Sequence, residues 1–265
     1  MSNFTDFLQP SPSAMQRIAT LLDHDGAAYR LRLATSADDV RSAQRLRYQV
    51  FNLELQEGLA QSHASGLDAD PFDAVCDHLL VEHQSSGAVV GTYRMQTGPQ
   101  AAAALGYYCA REFEFGVYES LRAEVLELGR ACIASDHRNF SVLSLLWRGI
   151  ASYAQERGAR YLLGCSSLTS QSPPEAAQAF AVMQSSLAPV ELRTVPCAEF
   201  RMHDEVARAG GSFHLPKLLS AYLALGAWVC GPPAIDREFR TIDFLTLLDL
   251  KSPAMALRRR RFGIG

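Results

Sequence analysis

The sequence predicts an α/β fold: a mixed sheet with helices on its faces. Three observations carry this. Glu124–Ser167 reads as strand, polar turn, helix, strand. Its helix shows Val142, Leu145, Leu146, Gly149, Ile150 and Tyr153 at spacings of three and four, the period of an amphipathic helix. His78–His83 and Ala88–Thr97 flank a turn at Gln84–Gly87 and form a β-hairpin. Thr241–Leu250 carries Leu and Ile almost throughout, as a buried strand does.

The remaining elements follow in order. Residues 1–25, with Pro10, Pro12 and several Ser, read as a tail with a short helix around Ala14–Asp23. Tyr29–Ala34 alternates apolar residues with Arg and reads as a first strand. Ser36 is a good N-cap, with Asp38 and Asp39 in the first turn, and the helix runs to about Phe51. Asn52–Pro71 has no strong periodicity, and a loop that long is usually functional or mobile. Ala101–Tyr118 connects through an Ala-rich helix and a run of aromatics. In the strand–helix–strand unit the first strand is Glu124–Ala134, Ser141 is the expected N-cap, Gly158 closes the helix, and Tyr161–Cys165 is a buried strand. Helices are expected over Pro173–Gln184 and Pro216–Leu225, strands over Val190–Val195 and Gly226–Cys230, and a polar loop over Arg201–His214. One domain therefore spans residues 26–250, followed by a basic tail, 251–265, that ends RRRRFGIG.

Composition bounds the function. The chain has 265 residues, 48% hydrophobic and 20% charged, as expected of a globular protein with a sizeable core. A net charge of -3 gives no case for nucleic acid as a partner. Cysteines 76, 109, 132, 165, 197 and 230 form no CxxC pair and read as reduced core residues of a cytoplasmic protein; no metal site is expected. The N-terminus lacks a signal-peptide core, and the longest apolar run, Leu218–Gly231, falls short of the roughly 20 residues of a membrane span. The Arg258–Arg261 run can steer toward an acidic protein or give peripheral contact with an anionic inner-membrane surface.

The candidate site residues cluster around the strand–helix unit. Glu127 can accept a proton if it faces a cleft; otherwise it salt-bridges Arg94 across the sheet. Glu127 and Arg130 are three apart and point to opposite faces of a regular strand, so a bulge near Gly129 is needed to unite them. Arg47, at the end of the first helix, serves as an anion clamp or as a structural charge. Asp68, Asp70, Asp73 and Asp77 bind a cation or simply cap turns. Arg138 and Asn139 open a helix whose N-terminus suits an anion.

With these residues in view, the chain resembles the GCN5-related N-acyltransferases of the L-ornithine N-alpha-acyltransferase type, relatives of the acyl-homoserine lactone synthases. LRYQVF (46–51), GLDADPFDAVCDHLLV (66–81), GTYRM (91–95), LELGRACI (126–133), LLWRGIA (145–151), YLLGCSS (161–167) and LGAWVCGPPAIDREFRTIDFLTLLDL (225–250) carry the resemblance over nearly all of Tyr29–Leu250. It implies the N-acyltransferase fold and transfer of a fatty acyl group, typically 3-hydroxyacyl, from acyl carrier protein to the α-amine of L-ornithine, giving lyso-ornithine lipid. It places the lactone-synthase active-site positions on Arg47, Phe51, Asp68 or Asp73, Arg94, Glu127 and Arg130. Acetyl-CoA users cradle the pyrophosphate with an Arg/Gln-x-x-Gly-x-Gly/Ala loop, whereas Arg138–Val142 reads RNFSV, without those glycines. The departure favours acyl carrier protein as donor, with no separate cofactor.

The expected mechanism is direct transfer, with Glu127 as base and a backbone N–H of its strand on the thioester oxygen. Arg47, Arg94 or Arg130 would clamp the acceptor carboxylate, the acids of Asp68–Asp77 would hold its ammonium, and residues around Leu218–Trp228 would line the acyl tunnel. Donor contacts are expected at Ile133, Arg138, Asn139 and Cys165, the last a rival nucleophile for a covalent route. Alternatives are acylation of another amino acid such as glutamine or glycine, acyl-homoserine lactone synthesis, and a non-catalytic lipid- or carrier-binding module.

Overall fold

The computed structural model describes residues 28–202 and 213–258. Eight strands form one sheet: β1 (Tyr29–Leu33), β2 (Asp77–His83), β3 (Ala88–Thr97), β4 (Val125–Ile133), β5 (Tyr161–Leu168), β6 (Trp228–Val229), β7 (Ala234–Asp236) and β8 (Thr241–Asp249). Their order is β1-β2-β3-β4-β5-β8-β6, with β7 also on β8. Every pairing is antiparallel except β4–β5. Parallel neighbours require a crossover. The helix Phe140–Glu156 supplies it.

Among the described residues the α-helices longer than four residues are α1 (Ala37–Tyr48), α2 (Gly98–Ala103), α3 (Phe140–Glu156), α4 (Pro173–Val182), α5 (Lys217–Leu225) and α6 (Pro253–Arg258). Ser36 caps α1, its side chain accepting from Asp39 N. Past Tyr48 the chain does not leave the helix but widens into a π-turn, Gln49–Glu54. Thr97 and Gln100 form a reciprocal capping box on α2. The cap of α3 is Asn139, not the expected Ser141: its Oδ1 accepts from Val142 N at 3.1 Å.

The alternation of β4 divides the interior. Leu126 and Leu128 join a core with Leu31, Leu79, Leu146, Ile150 and Tyr153 beneath α3. Val125 faces a second core with Tyr107, Phe113, Tyr118, Leu163 and Leu245. Helix α3 seats closely because residue 149 is glycine: a Cβ there would lie 2.7 Å from Leu31 Cδ2 and 2.8 Å from Leu79 Cδ2.

Several expectations are corrected. Val190–Val195 is not a strand; Val190–Leu192 is a 3-10 turn. Its exposed Val190 has no strand partner among the described residues, so β-propensity had nothing to pair with. The Gly226–Cys230 strand shrinks to two residues, and β7 was not foreseen because three residues give no period to read. Ala14–Asp23 and most of the expected Arg201–His214 loop lie outside the described residues, as does the tail beyond residue 258. The start of that tail is the helix α6, anchored by buried Met255. Among the described residues no helix is long and apolar enough to cross a membrane.

Candidate active site

The site begins with a flaw in β4. Its register against β3 shifts between the pairs Arg94↔Gly129 and Thr92↔Cys132. Arg130 sits at φ 49°. That is left-handed backbone, which a non-glycine residue adopts only at a local cost. The extra residue reverses the strand's phase: Leu126 and Leu128 belong to the first core, and so do Ala131 and Ile133. Glu127 and Arg130 therefore share a face and line the same cavity of about 80 Å3.

Glu127 is buried and accepts three hydrogen bonds. Oε2 accepts from Gln96 Nε2 and from Tyr108 N at 2.9 Å, and Oε1 accepts from Cys109 N at 2.8 Å. The salt bridge with Arg94 is absent from it. Arg94 turns instead to the acids of the 68–73 segment.

Those acids form a balanced lattice. Arg47 Nε lies 2.9 Å from Asp68 Oδ1, and its Nη2 donates to Asp73 Oδ2 at 2.7 Å. Arg94 Nη1 donates to Asp70 at 2.6 Å and Asp73 at 3.1 Å. Arg130 Nη2 donates to Asp70 at 3.0 Å, with its Nε 3.5 Å from Asp68. Gln44 and the Asp70 capping box complete the shell. The Arg47 and Arg94 guanidiniums hold the Asp73 carboxyl well below its usual range despite burial. Burial pushes the His78 imidazole down, and its Nε2 lies 3.0 Å from the Asp73 carbonyl.

This lattice corrects two expectations. Arg47 is 0% exposed, is held by Asp68 and Asp73 and lines neither cavity, which places it in the lattice rather than against a substrate carboxylate. Asp68 and Asp73 already face arginines and are not free for an ammonium. Arg94 and Arg130 do reach the Glu127 cavity. Among the described residues Arg130 Nη1 makes no hydrogen bond, which leaves a donor pointing from the lattice.

The donor side is a cleft between β4 and β5. The two strands pair only from Val125↔Tyr161 to Glu127↔Leu163. Beyond that they splay. The apex is tight because residue 164 is glycine: a Cβ would lie 2.3 Å from the Leu128 carbonyl oxygen. The splay opens a second cavity, about 350 Å3, lined by Gly129–Ala131, Leu162–Ser167, Trp147, Leu218, Leu219 and Tyr222. Trp228 is not part of it; it packs on the second core. Phe51 lines this cavity and meets Phe239 edge-on at 6.2 Å, while the Arg130 guanidinium lies 4.0 Å over the Phe239 ring.

The expected donor residues divide. Cys165 lines both cavities, and its thiol is pushed well up by its neighbour Cys109 and by burial, which opposes a thiolate nucleophile. Arg138 is bidentate to Glu54 and donates Nε to the Ile133 carbonyl at 3.0 Å; Asn139 caps α3. These three positions tie β4 to the π-turn and to α3 and line neither cavity.

Four acids were missed. Glu57 lines the cleft, pushed up to about 7 by burial. Glu112, Asp236 and Asp243 converge, one oxygen of each within 4.8 Å of the others, on the wall of the Glu127 cavity. They come from a loop and from β7 and β8, and only the β7–β8 register, Ala234↔Asp243, brings the last two together. Among the described residues they are the group able to hold a metal ion, with oxygen ligands alone. All six cysteines are free.

Known proteins are similar to this chain in sequence and in fold. An acetyltransferase (GNAT) domain family matches residues 46–148. The L-ornithine N(alpha)-acyltransferase of Rhodobacter capsulatus is 33% identical over 89% of this chain and 94% of its own length. That of Rhizobium meliloti is 31% identical over 91% of this chain and 84% of its own. Among solved structures, the acyl-homoserine lactone synthase LasI aligns at TM-score 0.51 and 12% identity, over 90% of this chain and 96% of LasI. FeeM, an N-acyl amino acid synthase from uncultured soil microbes, aligns at 0.51 and 11%, over 84% of this chain and 90% of its own. At such identities they show a shared fold.

Proposed function

The chain belongs to the L-ornithine N(alpha)-acyltransferase family and is an acyltransferase, and from that premise we propose that it moves a fatty acyl group from acyl carrier protein to the α-amine of L-ornithine. The observation that carries the reading is the junction of two cavities at the β4 bulge. One is the larger cleft, walled by Trp147, Leu162, Leu219 and Tyr222, and the other is a smaller cavity lined by the charged side chains of Arg94, Glu127, Arg130 and Asp236. Gly129, Arg130 and Cys165 line both, so a thioester in the cleft and an amine in the cavity meet there.

In this reading the pantetheine arm threads between β4 and β5 and the acyl chain lies against Trp147, Leu219 and Tyr222. No separate cofactor takes part. A backbone N–H in the bulged segment, which lacks a β5 partner, polarises the thioester carbonyl. Arg130, with Arg94 beside it, receives the ornithine carboxylate. The amine loses a proton to Glu127 through water. A carboxylate has about four acceptor sites, and three are taken, so one remains for the cavity. The tetrahedral intermediate then expels the carrier thiolate, which takes back through the same water the proton held by Glu127. The product is an amphiphile, so its release at the inner membrane, aided by the basic C-terminal run, completes the proposal.

Expression in a bacterial host that makes no such lipid, followed by lipid mass spectrometry, tests this. A new N-acyl-ornithine is the expected product. An N-acyl derivative of another amino acid refutes the acceptor, and an acyl-homoserine lactone refutes both the acceptor and the reaction.

A further inference from the structure

The polar cavity has one wall for a base, one for a carboxylate, and a third with no role in the mechanism above. That third wall is Glu112, Asp236 and Asp243. Each is buried, and the arginines of the cavity are already matched by Asp68, Asp70 and Asp73. Apart from the contact between the Glu112 and Asp243 carboxyls, the three acids carry only small donors: Glu238 N and Phe239 N on Asp236 Oδ1, at 2.8 Å each, Thr241 Oγ1 on Asp243 Oδ2 at 2.9 Å with the Ser167 hydroxyl also on Asp243, and the Cys165 thiol 3.7 Å from Glu112.

A second observation, independent of the cluster, shows what is missing. Gln96 lines the same cavity, is 1% exposed, and leaves its Oε1 without a hydrogen bond. Asp243, 3% exposed, leaves its Oδ1 in the same state. Buried polar atoms are normally paired. Both orphans are acceptors, so the absent partner is a donor. Its place is fixed relative to the base: Cys165 Sγ bridges from Glu112 to Cys109, 3.4 Å away, and Cys109 N binds Glu127.

We propose that Glu112, Asp236 and Asp243 form the subsite that holds the side-chain ammonium of the acceptor amino acid, and so select a diamino acid over a neutral one. This rests on the ornithine reading above. An ammonium has three donors and no acceptor. Donating at about 2.8 Å along tetrahedral directions, it spans acceptors roughly 4.6 Å apart. One group therefore reaches all three carboxylates. Without it, burial and mutual repulsion push the Glu112 carboxyl well up and that of Asp243 to about 6, the behaviour of acids that lack a counter-charge. A hard divalent cation is the competing occupant. It wants six or more oxygens, and the wall supplies three carboxylates and a threonine hydroxyl.

The test compares ornithine with norvaline, which has the same carbon chain without the terminal amine, using purified full-length enzyme and acyl carrier protein thioester. The wild type should favour ornithine by roughly 100-fold or more in kcat/KM, as a site built around a buried charged hydrogen bond does. Asp243→Asn, and independently Glu112→Gln, should lose about that factor for ornithine, mostly in KM, and stay within about threefold for norvaline. Both should melt no lower than wild type without substrate, because each removes a buried like charge. Equal losses on the two substrates, or retained preference in both variants, overturn the subsite and leave the acyltransferase reading standing. A wild type that ignores ornithine overturns both. Stoichiometric Mg2+ or Mn2+ binding by calorimetry without substrate, lost in Asp243→Asn and required for turnover, assigns the wall to a metal and overturns the proposal.

Discussion

Replacing Arg47 by Met separates the two roles open to that residue. As a carboxylate clamp it would matter to substrate alone. As the centre of the lattice it matters to the fold. The side chain is wholly buried and meets Asp68 at 2.9 Å and Asp73 at 2.7 Å. Its removal leaves Asp68, Asp70 and Asp73 facing only Arg94 and Arg130. Breaking one partner of a buried ion pair costs about 3–5 kcal/mol, because the abandoned charge keeps its desolvation cost. In a domain of this size about 1 kcal/mol moves the melting temperature by roughly 2–4 °C, so the expected fall is on the order of 6–20 °C. Met nearly preserves volume, so little of the loss comes from a cavity. The double variant Arg47→Met/Asp68→Asn removes the charge with its counter-charge and should recover at least half of the loss. The assay is urea or thermal unfolding, with KM for ornithine measured on the folded protein. A melting temperature within about 2 °C of wild type, with KM raised tenfold or more, would refute the lattice and restore the clamp.

Other consequences follow from the same geometry. Glu127→Gln should reduce turnover at least roughly 100-fold and also lower the melting temperature, since its amide NH2 must face a backbone N–H where a carboxylate oxygen now accepts; near-normal turnover would sink its role as base. Cys165→Ala should retain turnover within about threefold, and no acyl-enzyme should appear by intact-mass spectrometry, because the buried thiol stays protonated. Gly164→Ala should cost about 1–3 kcal/mol and narrow the cleft, read as a raised KM for the acyl donor against an unchanged KM for ornithine. Stability should peak in mildly acidic buffer. Asp70 and Asp73 have depressed folded values, so their contribution is present above about 3.8 and lost as pH falls below it; Asp243 is raised to about 6, so its contribution is present below about 3.8 and lost as pH rises through 6. Asp243→Asn should flatten the decline between about pH 3.8 and 6 and leave the acid limb unchanged in melting curves taken across pH.

The legible parts of this chain were those with a period. The hairpin β2–β3 and helix α3 lie where alternation and the three–four spacing put them, and Ser36 capped the first helix as read. The need for a bulge was legible too, since Glu127 and Arg130 were three apart on a strand. Pairing between distant segments was not legible. A run of acids at 68–77 looks the same whether it awaits a cation or already holds three arginines, and the arginines are 21 to 62 residues away from the acids they meet. Asn139 outbid Ser141 for the helix cap because its own side chain reaches Val142 N, and no periodicity decides between two good caps two residues apart.

The difference between the two acid groups of the site is one of charge balance rather than composition. The 68–73 acids are matched by arginines from α1, β3 and β4, so their charges are balanced inside the chain and can hold the register of the bulged strand. The 112/236/243 acids line the same cavity as Arg130 and are equally buried, with no arginine or lysine in a salt bridge to them among the described residues. A fold gains nothing from burying three carboxylates without a counter-charge, and each costs free energy until one arrives. Balancing the first group inside the chain and leaving the second without a counter-charge lets one strand serve two ends: rigid placement of Glu127 and Arg130, and a net negative wall on the cavity they line. Supplying a counter-charge from within, by Thr241→Lys, should therefore raise the melting temperature measured without substrate and abolish ornithine turnover together; a variant that gained stability while turning over ornithine normally would break the link between the unbalanced charge and the acceptor.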